Sequence, residues 1–243
     1  MSNTSKIILI SGASSGIGEA TARHLAKQGH TVVVGARRVE RIEIVAREIM
    51  AEGGSALAIR LDVTDRWNFA TFAQEAHRQF GRIDVLVNNA GVMPLSAFAD
   101  LQIDEWNLMI DVNLRGVLNG VAAVLPIMTA QQRGHVVNIG SVAGYNVNPT
   151  AGVYCATKFA VRALSEGLRM ESKDLRVTLV SPGLTRTELS DAIRSPETRG
   201  MLQGLTDSIG IPAGAIAEAI GFAISQPADV DVNELIVRPT VQG

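Results

Sequence analysis

"ISGASSGIGEATARHLAKQG", residues 10–29, carries Gly12, Gly16 and Gly18 between an apolar run and a helical pattern. Strand, glycine turn and helix N-terminus in that order make a phosphate-binding corner. Glycine lets the backbone turn tightly and lets a pyrophosphate come close. The free N–H groups and dipole of the helix then favour the anion. Gly12, Ser14, Ser15, Gly16, Ile17 and Gly18 form the candidate cradle. Glycine is common here, 23 of 243 residues, so an ordinary tight turn is the bland alternative. The location of the turn in the first strand–helix unit is what makes its spacing informative.

Outward from that turn, short apolar runs recur at 6–11, 31–36, 56–61, 85–89, 135–140, 176–181 and 234–239. They are continuously apolar rather than alternating, as strands buried on both faces are. Helical patterns lie between them. One at 39–52 carries Ile42, Val45, Ile49 and Met50, and one at 66–80 carries Trp67, Phe69, Phe72, Ala76 and Phe80. Longer ones cover about 104–131, with a kink expected at Pro126, and about 152–173. Strands alternating with helices predict an α/β fold: a doubly wound, mostly parallel seven-stranded sheet with helices on both faces. Residues 1–243 read as a single Rossmann-type domain. The glycine-rich, weakly periodic stretch 183–215 reads as a substrate lid within it, or as a surface insertion.

Hydrophobic content of 47%, charged content of 19% and a net charge of −2 are ordinary for a globular chain and point away from nucleic-acid or membrane surfaces. No 18-residue apolar stretch occurs. The single cysteine, Cys155, excludes an intrachain disulfide and is compatible with a cytoplasmic location. The four histidines show no metal spacing, so no metal is expected.

The second apolar run ends at Ala36, Arg37 and Arg38, where NAD-binding folds carry an acidic residue. Two guanidiniums there suit a 2′-phosphate, which they grip with charge-assisted, often bidentate bonds. A solvated helix start is the alternative, but cations near a helix N-terminus oppose its dipole. The expected cofactor is NADP(H).

"GVYCATKFAV", residues 152–161, sets Tyr154 and Lys158 one helical turn apart. A free tyrosine has a pKa of about 10, and a nearby ammonium lowers it toward a useful general acid/base. Alone, the pair also fits two unrelated helix residues.

Seven motifs occur in order: GASSGIG, LDVTD, NNAG, DVNLRG, NIGS, YCATK and SPGLTRT. With them the chain resembles the short-chain dehydrogenase/reductase family, in its short single-domain subgroup, over nearly its whole length. The resemblance implies an NADP(H)-dependent oxidoreductase interconverting a ketone or aldehyde and a secondary alcohol. Tyr154 would be the acid/base, and Lys158 would hold the nicotinamide ribose and depress the tyrosine pKa. Ser141 would bond the reacting oxygen, and Asn113 would support the long helix and a water leading to Lys158. Asp62 and Val63 would flank the adenine, and Asn89, Ala90 and Gly91 would run beneath its ribose. Pro182, Gly183, Thr185 and Thr187 would meet the nicotinamide amide. A homo-oligomer, tetramer or dimer, would pack through the two long helices.

Two departures stand out. Ser11 takes the place of the usual Thr, and no Lys or Arg precedes Gly16. The 2′-phosphate would then rest on Arg37 and Arg38 with Ser14. Met93, Leu95, Val142, Tyr145, Val147 and Leu184, beside Ser141 and Tyr154, are the expected substrate wall. It is apolar, suiting a neutral small molecule. Arg186 or Arg194 could serve a 3-hydroxy acid instead. A non-catalytic NADP sensor on the same fold is the further alternative. Trp67 and Trp106 read as packing residues.

Overall fold

The computed structural model describes residues 5–242. The strands are β1 (Ile7–Ser11), β2 (Thr31–Ala36), β3 (Ser55–Arg60), β4 (Val85–Asn88), β5 (Gly134–Ile139), β6 (Leu175–Pro182), β7 (Thr185–Arg186), β8 (Ile211–Pro212) and β9 (Glu234–Val237). Seven form one sheet in the order β3-β2-β1-β4-β5-β6-β9, and β7 pairs with β8 apart from it. All the pairings are parallel. The helices are α1 (Gly16–Lys27), α2 (Val39–Ala51), α3 (Arg66–Phe80), α4 (Ile103–Met109), α5 (Gly116–Gln131), α6 (Gly152–Glu171), α7 (Pro196–Ile209) and α8 (Ala213–Ser225).

The apolar runs lack alternation because there are two cores. Along β1, Ile8 and Ile10 pack among residues of α1, α2 and α8, while Ile7 and Leu9 pack among residues of α3 and α5. Each successive side chain enters the opposite layer. The pattern fades at the edges: β3 is only partly buried, and Glu234 and Ile236 of β9 are exposed.

Local chemistry sets the helix ends. The Asp65 carboxylate accepts hydrogen bonds from the Trp67 and Asn68 amides at 2.8 and 3.2 Å and starts α3. Gly81, at φ +73°, ends it in the left-handed region. Met50 and Trp67 correct the expected stripes. Both are exposed, and Arg66 stacks on the Trp67 ring at 4.4 Å. The α5 helix runs on through Pro126. The irregularity falls earlier, where Ile110–Arg115 forms a π-helical turn between α4 and α5. The continuous run Ile103–Gln131, 29 residues whose most apolar 18-residue window has a mean hydropathy of 1.5, is long and apolar enough to cross a membrane. Here its α5 portion is a layer of the fold, packed on α3, β4 and β5.

Candidate active site

From β1 the chain winds outward to β3, then crosses back to β4, so its direction reverses between β1 and β4. In open α/β sheets ligands sit in the crevice at the carboxyl ends of strands flanking such a switch point. A cleft of about 510 Å³ lies there.

Its floor is locked before any ligand is considered. Asn89 donates to the Ser11 and Gly12 carbonyls at 3.0 and 3.1 Å. The Ser11 hydroxyl accepts from the Asn89 and Ala90 amides at 3.0 and 3.1 Å, so the hydroxyl kept in place of threonine is used. Gly12 has φ +67°, and a Cβ there would lie 2.7 Å from the Ala90 Cα. A Cβ on Gly18 would lie 2.4 Å from the Gly12 carbonyl oxygen. Gly16 begins α1, and Ser15 at its N-cap makes no side-chain bond to the first turn. The amide end of α1 therefore faces the cleft without a cap, beside Gly16 and Ile17. That cradle fits the pyrophosphate of a nicotinamide dinucleotide.

At the far end Arg37 and Arg38 border the cleft. Arg38 donates to Ser14 at 2.9 Å and Ser15 at 2.7 Å. Asp62 lies nearby. Its carboxyl is held below the usual range, with burial opposing and the Thr64 bonds and the Arg37 charge prevailing. Val63, Ala90 and Gly91 also line this wall.

At the other end Ser141, Tyr154 and Lys158 share the cleft. The first turns of α6 hold Tyr154 and Lys158, both buried. Lys158 Nζ donates to the Ile139 carbonyl at 2.9 Å and lies 5.7 Å from the centre of the Tyr154 ring. Burial pushes the Tyr154 phenol up to about 12, against the Ser141 hydroxyl, which draws it down. Burial also lowers Lys158 to about 8. In the isolated protein burial of the phenol sets the direction of the Tyr154 shift, because the phenolate would have left water.

Asn113, in the π turn, stands behind this wall rather than on it. Its side chain accepts from the Val92 amide at 2.8 Å and donates to the Val92 carbonyl at 2.9 Å and to Thr157 at 3.3 Å. It ties the loop after β4 to α6. Pro182, Gly183, Thr185 and Thr187 line the remaining side. The Thr187 hydroxyl is already engaged, accepting from the Leu189 amide at 3.3 Å.

The expected substrate wall is only partly assembled. Met93, Leu95, Val142, Val147 and Leu184 do not line the cleft, and Val147 is exposed. Tyr145 is drawn away: its hydroxyl bonds Ser181 at 3.2 Å and the Glu234 carboxylate, and Arg162 stacks on its ring at 4.4 Å. Sequence reading missed Val92, Val112, Leu189 and Ala192, which line the cleft instead, and Glu188 and Asp191, which bring acid to it. The neighbouring NNAG, DVN and SPGLTRT motifs were the one signal that pointed toward them.

Residues 6–198 match the family described as short chain dehydrogenase. An uncharacterized oxidoreductase of Staphylococcus saprophyticus subsp. saprophyticus is 45% identical over 242 residues, 98% of this chain and 97% of that protein. An alcohol dehydrogenase from the archaeon Thermococcus sibiricus, solved with 5-hydroxy-NADP, superposes with a TM-score of 0.88 at 33% identity, over 98% of each chain. The closed form of a serine dehydrogenase with NADP+ gives 0.90 at 32% identity, over 98% of this chain and 96% of that one.

Proposed function

The chain belongs to the short-chain dehydrogenase/reductase family, and from that premise we propose that it is an NADP(H)-dependent carbonyl reductase and alcohol dehydrogenase of neutral small molecules. One observation carries the reading: Ser141, Tyr154 and Lys158 converge at one end of a cleft whose other end is a glycine cradle bordered by Arg37 and Arg38. The cofactor supplies the hydride when bound. The amides at Gly16 and Ile17 hold its pyrophosphate, and Arg37, Arg38 and Ser14 hold a 2′-phosphate. Lys158 holds ribose hydroxyls, and its charge, kept below pH about 8, eases the proton off the phenol. Ser141 orients the carbonyl oxygen, and Tyr154 donates the proton to it. With its pKa pushed up to about 12 by burial, the Tyr154 phenol is neutral at pH 7 and holds the proton that reduction consumes. Oxidation would need the phenolate and would gain at high pH.

Val92, Val112, Leu189 and Ala192 in the walls favour an uncharged substrate. Arg186 and Arg194 do not line the cleft, and Arg194 is paired with the buried Glu105 at 2.6 Å. The 3-hydroxy-acid alternative draws on the likeness to the serine dehydrogenase. We read the chain as one domain, with 183–215 as its lid, acting in the cytoplasm. Leu108, Leu118 and Phe159, exposed on α4, α5 and α6, support a homo-oligomer, which light scattering would detect.

NADPH absorbance followed across a panel of ketones and aldehydes tests the function, with 3-hydroxy acids and NADP+ as the second arm. Turnover of apolar ketones is expected. Silence in both arms would favour the sensor alternative.

A further inference from the structure

Glu188 binds the same guanidinium that the cofactor reading assigns to the 2′-phosphate. It opens the 3-10 turn Glu188–Ala192, at the start of the stretch read as a lid. Its carboxylate accepts from Arg38 at 2.8 Å and from Arg41 at 2.7 Å, across 150 and 147 residues of sequence. Arg38 is the N-cap residue of α2 and Arg41 lies in its first turn. Two cations there oppose the helix dipole, and Glu40 in the first turn and Glu188 from the lid supply anions against them. Glu188 also lines the cleft. Hydrogen bonds from Arg41 and Arg38 hold its carboxyl down to about 2, so it stays charged at every working pH.

We infer that Glu188 is an internal stand-in for the 2′-phosphate, competing for Arg38 and Arg41 and tying lid position to cofactor choice. A phosphate dianion and a carboxylate on the same guanidinium repel each other. The phosphate must therefore displace Glu188 or tolerate its charge, whereas a cofactor without that phosphate leaves the clasp closed. Glu188 then lowers affinity for NADPH and is indifferent to NADH. By linkage, NADPH loosens the hold of the lid on α2 as much as Glu188 weakens NADPH. The inference rests on the NADP reading above.

The test is fluorescence titration of purified protein with NADPH and with NADH, for wild type, Glu188→Gln, Glu188→Ala and Arg38→Ala. Glu188 and Arg38 are both exposed enough for the variants to fold. Exposed ion pairs are modest, so Glu188→Gln should tighten NADPH by roughly 2- to 10-fold and leave NADH within twofold. Glu188→Ala should follow it, because the effect comes from lost charge. Arg38→Ala should weaken NADPH by about tenfold or more and spare NADH. If both Glu188 variants weaken NADPH, leave it unchanged, or shift both cofactors equally, the competition does not exist. If Arg38→Ala leaves the NADPH-to-NADH ratio unchanged, the cofactor reading itself has failed, whatever Glu188 does.

Discussion

The two walls of the cleft are built to different standards. The wall formed by α6, the π turn and the ends of β4 and β5 is buried and cross-tied. Tyr154, Lys158 and Asn113 are each almost inaccessible, and Lys158 and Asn113 anchor to a neighbouring strand and loop. The facing wall, from Thr185 through α7, has few internal anchors. Its 3-10 turn and α7 contain no buried residue, Ile193 between them is its one buried side chain, and its other ties to the body include ion pairs, Glu188 with Arg38 and Arg41 and Arg194 with Glu105. Proton transfer needs groups fixed to a fraction of an ångström, which only a packed wall supplies. Selection and release of ligands need a wall that moves, and weak surface pairs permit that.

That contrast should first appear in stability. Asn113→Ala removes three bonds from the packed wall and leaves the Val92 amide and carbonyl unpaired. It should cost about 1–3 kcal/mol for each buried group left unsatisfied, read as a lowered denaturation midpoint. A cost below 0.5 kcal/mol would mean the wall is looser than its bonds suggest.

The next effect is on rate. If Lys158 must be charged, kcat/KM for reduction should be flat at neutral pH and fall about tenfold per unit once pH exceeds about 8. The sign follows from burial, which lowers the lysine and so moves the loss of charge toward neutrality. A profile flat to pH 10 would remove the lysine charge from the chemistry.

The smallest effect belongs to the lid. Met201 on α7 is largely exposed. Met201→Ser should change stability by less than about 0.5 kcal/mol. A larger loss would make α7 part of the core and erase the distinction.

The same contrast governs what was legible from sequence. Strands buried on both faces announce themselves as unbroken apolar runs, and Tyr154 and Lys158 stand one helical turn apart, a local relation. The glycine turn is likewise a matter of neighbours. The substrate wall is not. Tyr145 looked like a pocket residue because it follows Ser141 closely, but Ser181 and Glu234, 36 and 89 residues away, claim its hydroxyl. The hold of Glu188 on Arg38 spans 150 residues and has no periodic signature. The π turn at Ile110–Arg115 leaves no trace in composition either, and Pro126 drew attention to the wrong part of the helix. Trp67 misled for a smaller reason: its position fits the α3 stripe only loosely, and the tightly spaced Phe69 and Phe72 fill the core without it.

The central claim is that the buried Tyr154 hydroxyl carries the proton. Tyr154→Phe, which deletes that one oxygen, tests it most directly when NADPH affinity and turnover of a reduced substrate are measured on the same preparation. NADPH affinity should stay near the wild-type value while turnover drops by at least about 10²-fold. Turnover within a few-fold of wild type would contradict the account.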